Sequence, residues 1–515
     1  GPGLAYDIRP GAKTLVIGSG GGWDVSRAIA SGSQDITAVE INPIIANTVM
    51  KHQFATYSRG LYFRPEVHLH IEDGRSFVRH SNDRYQVLQA TLVDTWASTA
   101  AGAFALSENN LYTTDAFADY LRHLTDDGLL VFTRWGFDPP RESLRLVSLA
   151  MTALPQVGET GAKRHVLVFR EDAARLNGWG AQDTVMIFRK PVSGEDLDRA
   201  RAAIEGTGIQ LIYYPDAPAD SSAFAKLLDS PDPQAFWDGY PFDVTPVGDD
   251  RPFFFYTVQP HEVWAFLRGP ALAADYKVNK ALPLLFGSVL VSILATIIVL
   301  ALPPLLLGTR LPSDGGVRRS LLYFVAIGAG YILIQVGLIQ KFVLVLGHPT
   351  YALTVIIFSM LISSGLGSFF SRRLVSGDAE ASLRWVLAAI SAAVITLAFV
   401  VTPLGEVVTG WPLPGKMLIT ALLIAPAAFL MGMPFPAGLT QLEARFPDAV
   451  RWAWSLNAAA SVLGSCGAIV LSIYLGLRAT LLIGGGLYLG ALAIVWLQRS
   501  PARVSAPAKV GVFSQ

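Results

Sequence analysis

The composition of the chain changes near residue 280. Polar and apolar residues are mixed before it, and seven long apolar runs follow it, near residues 282–307, 321–340, 350–370, 384–404, 416–438, 454–475 and 478–497. A run of about 20 apolar residues can cross the ~30 Å hydrocarbon core of a bilayer as an α-helix. We therefore predict an all-α polytopic transmembrane domain at residues 281–500, with a flexible tail at 501–515.

The overall composition limits the classes of partner. Hydrophobic residues make up 52% of the 515, which is too apolar for an ordinary soluble protein of this length. The 40 basic and 40 acidic residues cancel, so we expect no nucleic-acid partner. One cysteine, Cys466, excludes a multi-cysteine metal site, and no further ligand completes the pair His68 and His70. No metal is predicted.

A glycine-rich turn lies near the start of the first domain. Residues 13–17 read as a buried strand, the turn Gly18-Ser19-Gly20-Gly21-Gly22 follows, and a helix begins near Asp24. A second strand ends in Glu40, 22 positions beyond Gly18, close to the ~20-residue offset at which a carboxylate meets a ribose hydroxyl. We interpret the glycines as letting backbone amides approach a nucleotide and Glu40 as its ribose ligand.

Strands and helices alternate along this domain. Further strands at 67–71, 85–90 and 128–133 predict an α/β Rossmann-like fold with a parallel, doubly wound sheet. Asp73 follows the third strand and can accept from an adenine amino group, with a helix-capping role as the alternative. The predicted cofactor-binding residues lie where strands end: Gly18, Ser19, Gly20, Gly22, Glu40, Asn42, Asp73 and Gly74.

The order and spacing of several segments are typical of one enzyme family. The segments are TLVIGSGGGWDVSRAIASG, TAVEINP, IEDGRSF and YQVLQATLVDTWASTAAGAFALSENNLYTTDAFADYL. Over about residues 10–190 they resemble the spermidine synthase family and, more broadly, class I methyltransferases. The resemblance implies a domain at 1–192 that binds S-adenosylmethionine or its decarboxylated form. The later segments LGHPTYALTVIIFSMLISSGLGS and MGMPFPAGL resemble the membrane-integrated branch of spermidine synthase-like proteins.

The resemblance also implies a catalytic residue. In aminopropyltransferases the loop after the fourth strand carries Asp-x-x-Asp-Pro, and its second aspartate holds and deprotonates the attacking amine. This chain has Thr91-Leu92-Val93-Asp94-Thr95 there, so the second acid is present as Asp94 and the first is threonine. Asp94 is the predicted catalytic and acceptor-binding residue, with a turn-capping aspartate as the alternative. Glu108 and Tyr112, nearby in sequence, are predicted to line the acceptor pocket.

One substitution bears on the donor. The family's glycine loop carries an aspartate that contacts the aminopropyl ammonium, and the aligned residue here is Gly21. An acid at this position would repel the carboxylate of intact S-adenosylmethionine, whereas bare amides at a helix N-terminus favour it. This favours intact S-adenosylmethionine as donor. Asp24 can restore the charge if the loop folds differently, which keeps the decarboxylated donor open.

Residues 193–280 form a connecting region with two acidic residues of interest. Asp249 and Asp250, in the string DDRPFFF, are predicted to attract a cationic acceptor, and the phenylalanines that follow them are predicted to pack on the membrane face. A solvated turn followed by an apolar plug is the alternative.

These features predict an integral-membrane transferase. It would move a methyl or aminopropyl group from the sulfonium donor to a small amine or lipid-like acceptor, and whether it forms a homo-oligomer stays open. The alternatives are a transporter or scaffold with a non-catalytic S-adenosylmethionine-sensing domain, and a lyase or cyclase that acts on the donor.

The distribution of positive charge in the loops and the cellular location of the donor predict opposite orientations of the protein in the membrane. Eleven Lys and Arg residues flank the spans on the far side, against six on the side of the first domain, which would place that domain outside the cytoplasm. The donor is made in the cytoplasm. We expect a bacterial inner-membrane protein with a cytoplasmic catalytic domain.

Overall fold

The computed structural model describes residues 1–93, 109–178, 180–259, 281–307, 315–375, 379–408 and 410–497. We call residues 1–259 the sheet domain and residues 281–497 the helical domain.

One mixed sheet forms the centre of the sheet domain. Its eight strands are β1 Thr14–Ile17, β2 Ile36–Val39, β3 Val67–His70, β4 Tyr85–Thr91, β5 Leu124–Trp135, β6 Val166–Glu171, β7 Gln182–Phe188 and β8 Gln210–Tyr213. Their order is β3-β2-β1-β4-β5-β7-β6-β8. Strands β1 to β5 pair in parallel, whereas β7 is antiparallel to β5 and β6, and β8 is antiparallel to β6. The parallel sheet was therefore correctly predicted for its first five strands only.

Helices cover both faces of this sheet. They are α1 Leu4–Ile8, α2 Trp23–Ala30, α3 Gly74–His80, α4 Thr114–Arg122, α5 Glu142–Ala153, α6 Gly194–Ile204, α7 Ala223–Leu228 and α8 Pro233–Gly239, with a π-helical segment at Ile44–Gln53. All four residues of β1, TLVI, are buried, as expected for a parallel strand covered on both sides. One apolar core contains residues of α3, α4, α5 and α7, and the other contains residues of α1, α2 and α6. This is the doubly wound arrangement.

The sheet domain continues beyond the predicted boundary at residue 192. Strand β8 lies past that boundary and pairs with β6. Phe224, Val244 and Phe254, all within the predicted connecting region, are buried in the core shared with α4 and α5. Most of the region called a connection is therefore part of the folded sheet domain.

The helical domain contains the predicted apolar runs. Its helices are α9 Ala281–Leu307, α10 Gly315–Leu346, α11 Pro349–Leu374, α12 Ala379–Val407, α13 Leu413–Met431, α14 Pro434–Arg445, α15 Val450–Leu475 and α16 Leu477–Leu497. Within the described residues they make seven stretches long and apolar enough to cross a membrane, of which the fifth comprises α13 and α14. All seven predicted runs coincide with these stretches. The break in the fifth falls just before Pro434, which has no N–H to continue a helix.

Close contact between backbones joins α11 to the end of α13. A methyl group on Gly367 would collide with the carbonyl oxygen of Phe429, and one on Gly432 would collide with that of Ser364. Both positions therefore require glycine, as is common where helices in a membrane pack tightly.

The two domains meet through the segment that contains Asp250. Its carboxylate accepts a hydrogen bond from the Lys341 ammonium of α10 at 3.3 Å and one from the backbone N–H of Arg478 at 3.0 Å. Its carbonyl oxygen accepts from the N–H of Leu477 at 2.7 Å, at the start of α16. Beside it, the hydroxyl groups of Tyr256 and Tyr474 share a hydrogen bond. The joint thus combines an ion pair with direct backbone contacts.

Candidate functional site

The glycine turn adopts the conformation that glycine makes possible. Gly18, Gly20 and Gly22 have φ angles of +69°, +46° and +82°, in the left-handed region. The N–H groups of Gly18 and Ser19 donate to the carbonyl of Val39 at 2.8 and 3.0 Å, which ties the turn to the end of β2. Gly22 then precedes α2, and a side chain there would collide with Leu61. The turn lies at the carboxyl edge of the sheet, as predicted.

Glu40 lies directly after β2 and is 6% exposed. One carboxylate oxygen accepts from the N–H of Gly20 at 2.8 Å, and the other accepts from the N–H of Asn42 at 2.9 Å. Each carboxylate oxygen has a second lone pair, so both can still accept from ligand hydroxyl groups. The structure thus holds Glu40 in one orientation against the glycine turn.

Asn42 has a local structural contact. Its side-chain oxygen accepts from the N–H of Ile44 at 2.9 Å, which shapes the entry to the helical segment that follows. Its backbone N–H is the one that contacts Glu40. The direct binding of a cofactor by Asn42 stays a prediction. In the structure its backbone N–H helps to position the Glu40 carboxylate.

Asp73 serves as the helix cap that was the alternative, and it also lines a cavity. Its carboxylate accepts from the N–H of Ser76 at 2.8 Å at the start of α3, and burial raises its pKa. Gly74, next in the chain, packs so tightly on Ile17 of β1 that a side chain would collide with it. The close packing brings the end of β3 and the glycine turn to the same edge.

A cavity of 490 Å³ opens at this edge, between the two domains. Its sheet-domain wall contains Ile41, which follows Glu40, and Asp73. Its other wall comes from the helical domain and includes Tyr351 and Trp411. Pockets that bind small molecules enclose roughly 300–1,000 Å³, so the cavity has the volume of a ligand site.

The predicted acceptor residues have different outcomes. Asp94 and Glu108 lie outside the described residues, so their roles stay predictions. Tyr112 is fully buried, and its ring stacks on Phe254 at 4.7 Å between centroids. Its hydroxyl accepts from Arg134 at 3.3 Å. The expectation that Tyr112 lines an acceptor pocket is corrected, because its side chain packs in the core.

Asp249 is neutralised by an arginine that sequence reasoning missed. Arg75, 2% exposed, donates to both carboxylate oxygens of Asp249, at 2.5 and 2.8 Å. Asp249 and Asp250 line a second cavity of 370 Å³, and Arg75, Arg79 and Arg478 line it as well. The same lining also contains Arg122, Asp115, Asp119 and Glu406. Asp249 is paired with Arg75 and Asp250 with Lys341, so both have structural contacts, and their role toward an acceptor stays a prediction.

A second missed arginine fixes the DDRPFFF segment. Arg145, in α5, is fully buried and donates to the carbonyl groups of Phe253, Phe254 and Tyr256 at 3.3, 2.6 and 2.8 Å. Its guanidinium also pairs with Asp243 at 2.9 Å. The sequence shows only an arginine within an apolar helix, and it does not indicate which distant residues this arginine contacts.

The glycine turn has Gly21, with no acidic side chain, at the position predicted to distinguish S-adenosylmethionine from its decarboxylated form. Gly21 is exposed, and a methyl group added there would meet no atom within 4 Å. Asp24 is buried, which raises its pKa, and its carboxylate pairs with Arg27 at 2.7 Å. Asp24 therefore adds little free negative charge to the turn.

Comparisons with known proteins place the chain near one group of enzymes. No family model matches it. A curated polyamine aminopropyltransferase from Korarchaeum cryptofilum (strain OPF8) is 26% identical over 119 residues, which is 23% of this chain and 34% of that protein. The chain thus matches about a third of the length of this relative.

Three solved structures align with part of the chain at low identity and low TM-score. Spermidine synthase from Thermotoga maritima is 16% identical, with a TM-score of 0.28, over 41% of this chain and 65% of that one. A probable spermidine synthase from Corynebacterium glutamicum ATCC 13032 is 18% identical, with a TM-score of 0.29, over 44% and 78%. Human methyltransferase-like protein 13, in complex with SAH, is 17% identical, with a TM-score of 0.28, over 40% and 88%.

At these TM-scores the three alignments carry no argument about fold or activity. The strand order, the glycine turn with Glu40 and the aminopropyltransferase match are independent observations. Together they give the sheet domain a spermidine synthase-like fold of the S-adenosylmethionine-dependent, class I methyltransferase type.

Proposed function

We propose that the protein is an integral-membrane transferase. It moves a methyl or aminopropyl group from S-adenosylmethionine or its decarboxylated form to an amine or a membrane-associated acceptor. The observation that carries the proposal is the glycine turn with Glu40, whose carboxylate is held by two backbone N–H groups, beside a 490 Å³ cavity lined by the next residue, Ile41, and by Asp73. The cavity lies between the sheet domain and the helical domain, which contains seven stretches with the length and composition of membrane spans.

The chemistry needs little from the protein beyond position and proton removal. The acceptor nitrogen attacks the carbon bound to sulfur, the carbon–sulfur bond breaks, and its electron pair stays on sulfur as a neutral thioether. Before this attack the acceptor ammonium must lose a proton to free the nitrogen lone pair, and we assign this proton removal to the Asp94 carboxylate. Free amines have a pKa near ~10, so a carboxylate is needed to orient the amine and take a proton. The products are the transferred group on the acceptor and S-adenosylhomocysteine or methylthioadenosine.

The reaction itself is the first test. The full-length protein in nanodiscs is incubated with each donor, with and without a short diamine or a membrane lipid extract, and the thioether product is identified by mass spectrometry. Product that requires an acceptor supports the proposal. Product formed without any acceptor supports the lyase or cyclase alternative. Donor binding with no product under any condition supports the non-catalytic sensing alternative.

Replacement of Glu40 by Gln is expected to weaken donor binding about 10- to 100-fold. The two oxygens of Glu40 accept from Gly20 and Asn42, so the NH₂ group of glutamine must face one of these N–H donors. A lost and mismatched hydrogen bond of this kind costs about 1–3 kcal/mol. Calorimetry with S-adenosylhomocysteine measures the effect. The control is Glu195→Gln, at an exposed glutamate, and equal affinity of both variants would remove Glu40 from the site.

Introducing an acid into the glycine turn should change the donor preference. The Gly21→Asp side chain fits sterically. Its charge would repel the carboxylate present in S-adenosylmethionine and absent from the decarboxylated donor. We expect the ratio of the two dissociation constants to shift about fivefold toward the decarboxylated donor, as for a solvent-exposed charge pair. Gly21→Asn is the neutral control, and an identical ratio in both variants would show that the donor's amino-acid end lies elsewhere.

We further propose that the sheet domain faces the cytoplasm, where the donor is made. Lys341 and Arg478 contact Asp250 of the sheet domain, which supports the assignment of these cations to its side of the membrane. With these two cations on the side of the sheet domain, the far side still has the excess of Lys and Arg. The charge distribution therefore argues against a cytoplasmic sheet domain. A cysteine introduced at the exposed Glu195 should react with a membrane-impermeant maleimide only after cells are opened. Labelling of intact cells would reverse the orientation.

A further inference from the structure

We infer that the helical domain supplies one wall of the nucleoside pocket. Two segments would then contact the adenosyl part of the donor. One is the hairpin Gly347–Tyr351, which joins α10 to α11 and includes the first residues of α11, and the other is residues 410–416, at the start of α13. The inference rests on the proposed function and adds binding residues to it. In this arrangement the membrane helices complete the donor site in addition to anchoring it.

The cavity has two chemically different walls. On the sheet-domain side lie Ile41, directly after the ribose ligand Glu40, and Asp73, the predicted partner of the adenine amino group. Tyr351 and Trp411 lie on the other side. A purine presents two flat faces and an amino donor, so aromatic rings opposite a carboxylate match its chemistry.

The hairpin approaches the nucleotide-binding edge closely. Gly347 has a φ of +72°, and a methyl group on it would lie 3.7 Å from the Cβ atom of Asp73 and 3.8 Å from Ser76. The positive φ favours glycine at the turn, and the distances place the turn next to Asp73 and Ser76. The helical domain thus contacts the residue that caps α3 and is predicted to bind adenine.

The hairpin also has internal contacts that hold its shape. The His348 ring nitrogen Nδ1 accepts from the N–H of Thr350 at 3.1 Å, which caps the start of α11. The rings of His348 and Tyr351 lie 5.2 Å apart. These residues belong to the segment LGHPTYALT, to which the proposed transfer reaction assigns no role. A positioned hairpin of this kind is suited to binding because little ordering is required when a ligand arrives.

Lys416 gives the helical wall a charge opposite to that of the sheet-domain wall. It is 7% exposed and interacts electrostatically with Glu72 and Asp73. All three residues line the cavity. The two walls of the cavity therefore carry opposite charges within interaction distance of each other.

Trp411 differs from an ordinary aromatic residue at a membrane surface. Tryptophan is common where membrane helices meet water, and Trp385, which is 77% exposed, fits that explanation. Trp411 is 46% exposed, and it lines the cavity whose opposite wall is Asp73. Trp385 is therefore a matched control, because it is a tryptophan of the same domain that lies outside this cavity.

The test measures ligand binding by the full-length protein in nanodiscs. The probes are S-adenosylhomocysteine and methylthioadenosine, the products of the two transfer reactions. Trp411→Ala should raise the dissociation constant of the bound probe about tenfold, as loss of one base-stacking ring does. Trp411→Phe retains a stacking ring and should stay within about threefold of the wild type. Trp385→Ala should bind as the wild type does.

The outcomes separate this inference from the proposed function. If the wild type binds a probe and Trp411→Ala binds it equally well, the inference fails and the proposed function stands. If the wild type binds neither probe, the proposed function fails. If Trp411→Ala does not fold, as judged by thermal unfolding and gel filtration, Tyr351→Leu replaces it under the same criterion.

Discussion

Asp94→Asn should lower the rate of donor turnover about 10²- to 10⁴-fold, the usual contribution of a positioned general base. Asparagine has nearly the same size as aspartate and does not take a proton at neutral pH. The described chain ends one residue earlier, at Val93. A methyl group on Gly18 would lie 2.5 Å from the Cγ1 atom of Val93, so the chain after β4 leaves the sheet beside the glycine turn. The base is therefore expected within reach of the donor's reactive carbon.

The measurement combines turnover with binding. Donor turnover is followed by mass spectrometry, and the affinity for S-adenosylhomocysteine by calorimetry, where Asp94→Asn should remain within about threefold of the wild type. Asp83→Asn, at an exposed aspartate that pairs with Lys13, is the control. Unchanged turnover in Asp94→Asn would assign proton removal to another group. A parallel loss of binding would instead make Asp94 a donor ligand.

Arg145→Met should lower the stability of the sheet domain by about 3–5 kcal/mol, the range for breaking a buried ion pair by removal of one partner. Methionine fills much of the same volume and cannot donate. Three backbone carbonyl groups and the carboxylate of Asp243 would lose their partner. Burial alone would raise the pKa of Asp243, yet the Arg145 guanidinium holds that pKa below its ordinary value. Without Arg145, this charge would stay buried and poorly compensated.

Thermal unfolding in nanodiscs measures the effect, and a decrease of about 10 °C in the first transition is expected. Arg199→Met, at a half-exposed arginine paired with Glu195, should change the melting temperature little. The double variant Arg145→Met/Asp243→Asn should recover part of the loss, because it removes the uncompensated charge. A melting temperature of Arg145→Met equal to that of the wild type would mean that the buried network does not stabilise the domain.

Sequence patterns were sufficient where the signal is local. The spacing from Gly18 to Glu40 is set by one helix and one strand, α2 and β2, so the prediction that both lie at the same sheet edge was correct. The seven apolar runs were also predictable, because a run of about 20 apolar residues is itself the signal for a membrane helix. For Asp73 the sequence allowed two roles, and the structure shows that it caps α3 and also lines the cavity.

Pairings between distant residues were not predictable. Asp249 looked available to a cationic acceptor, and its partner Arg75 lies 174 positions earlier in the chain. Arg145 contacts carbonyl groups more than 100 positions later. The antiparallel strands β6, β7 and β8 were missed, since their pairing depends on which sheet edge remains free after β5 is placed.

The order of amino acids is therefore enough to predict the α/β class of the first domain and the apolar helices of the second, and it supports the proposal of an adenosyl-binding site. Each of these depends on the periodicity and spacing of residues close together in the chain. The folded chain was needed to show that Asp249 is paired with Arg75 and that helices α11 and α13 border the cavity lined by Ile41 and Asp73. The reason is physical: a charge becomes a ligand or a structural contact according to what lies within a few ångströms of it, and those neighbours come from remote parts of the chain.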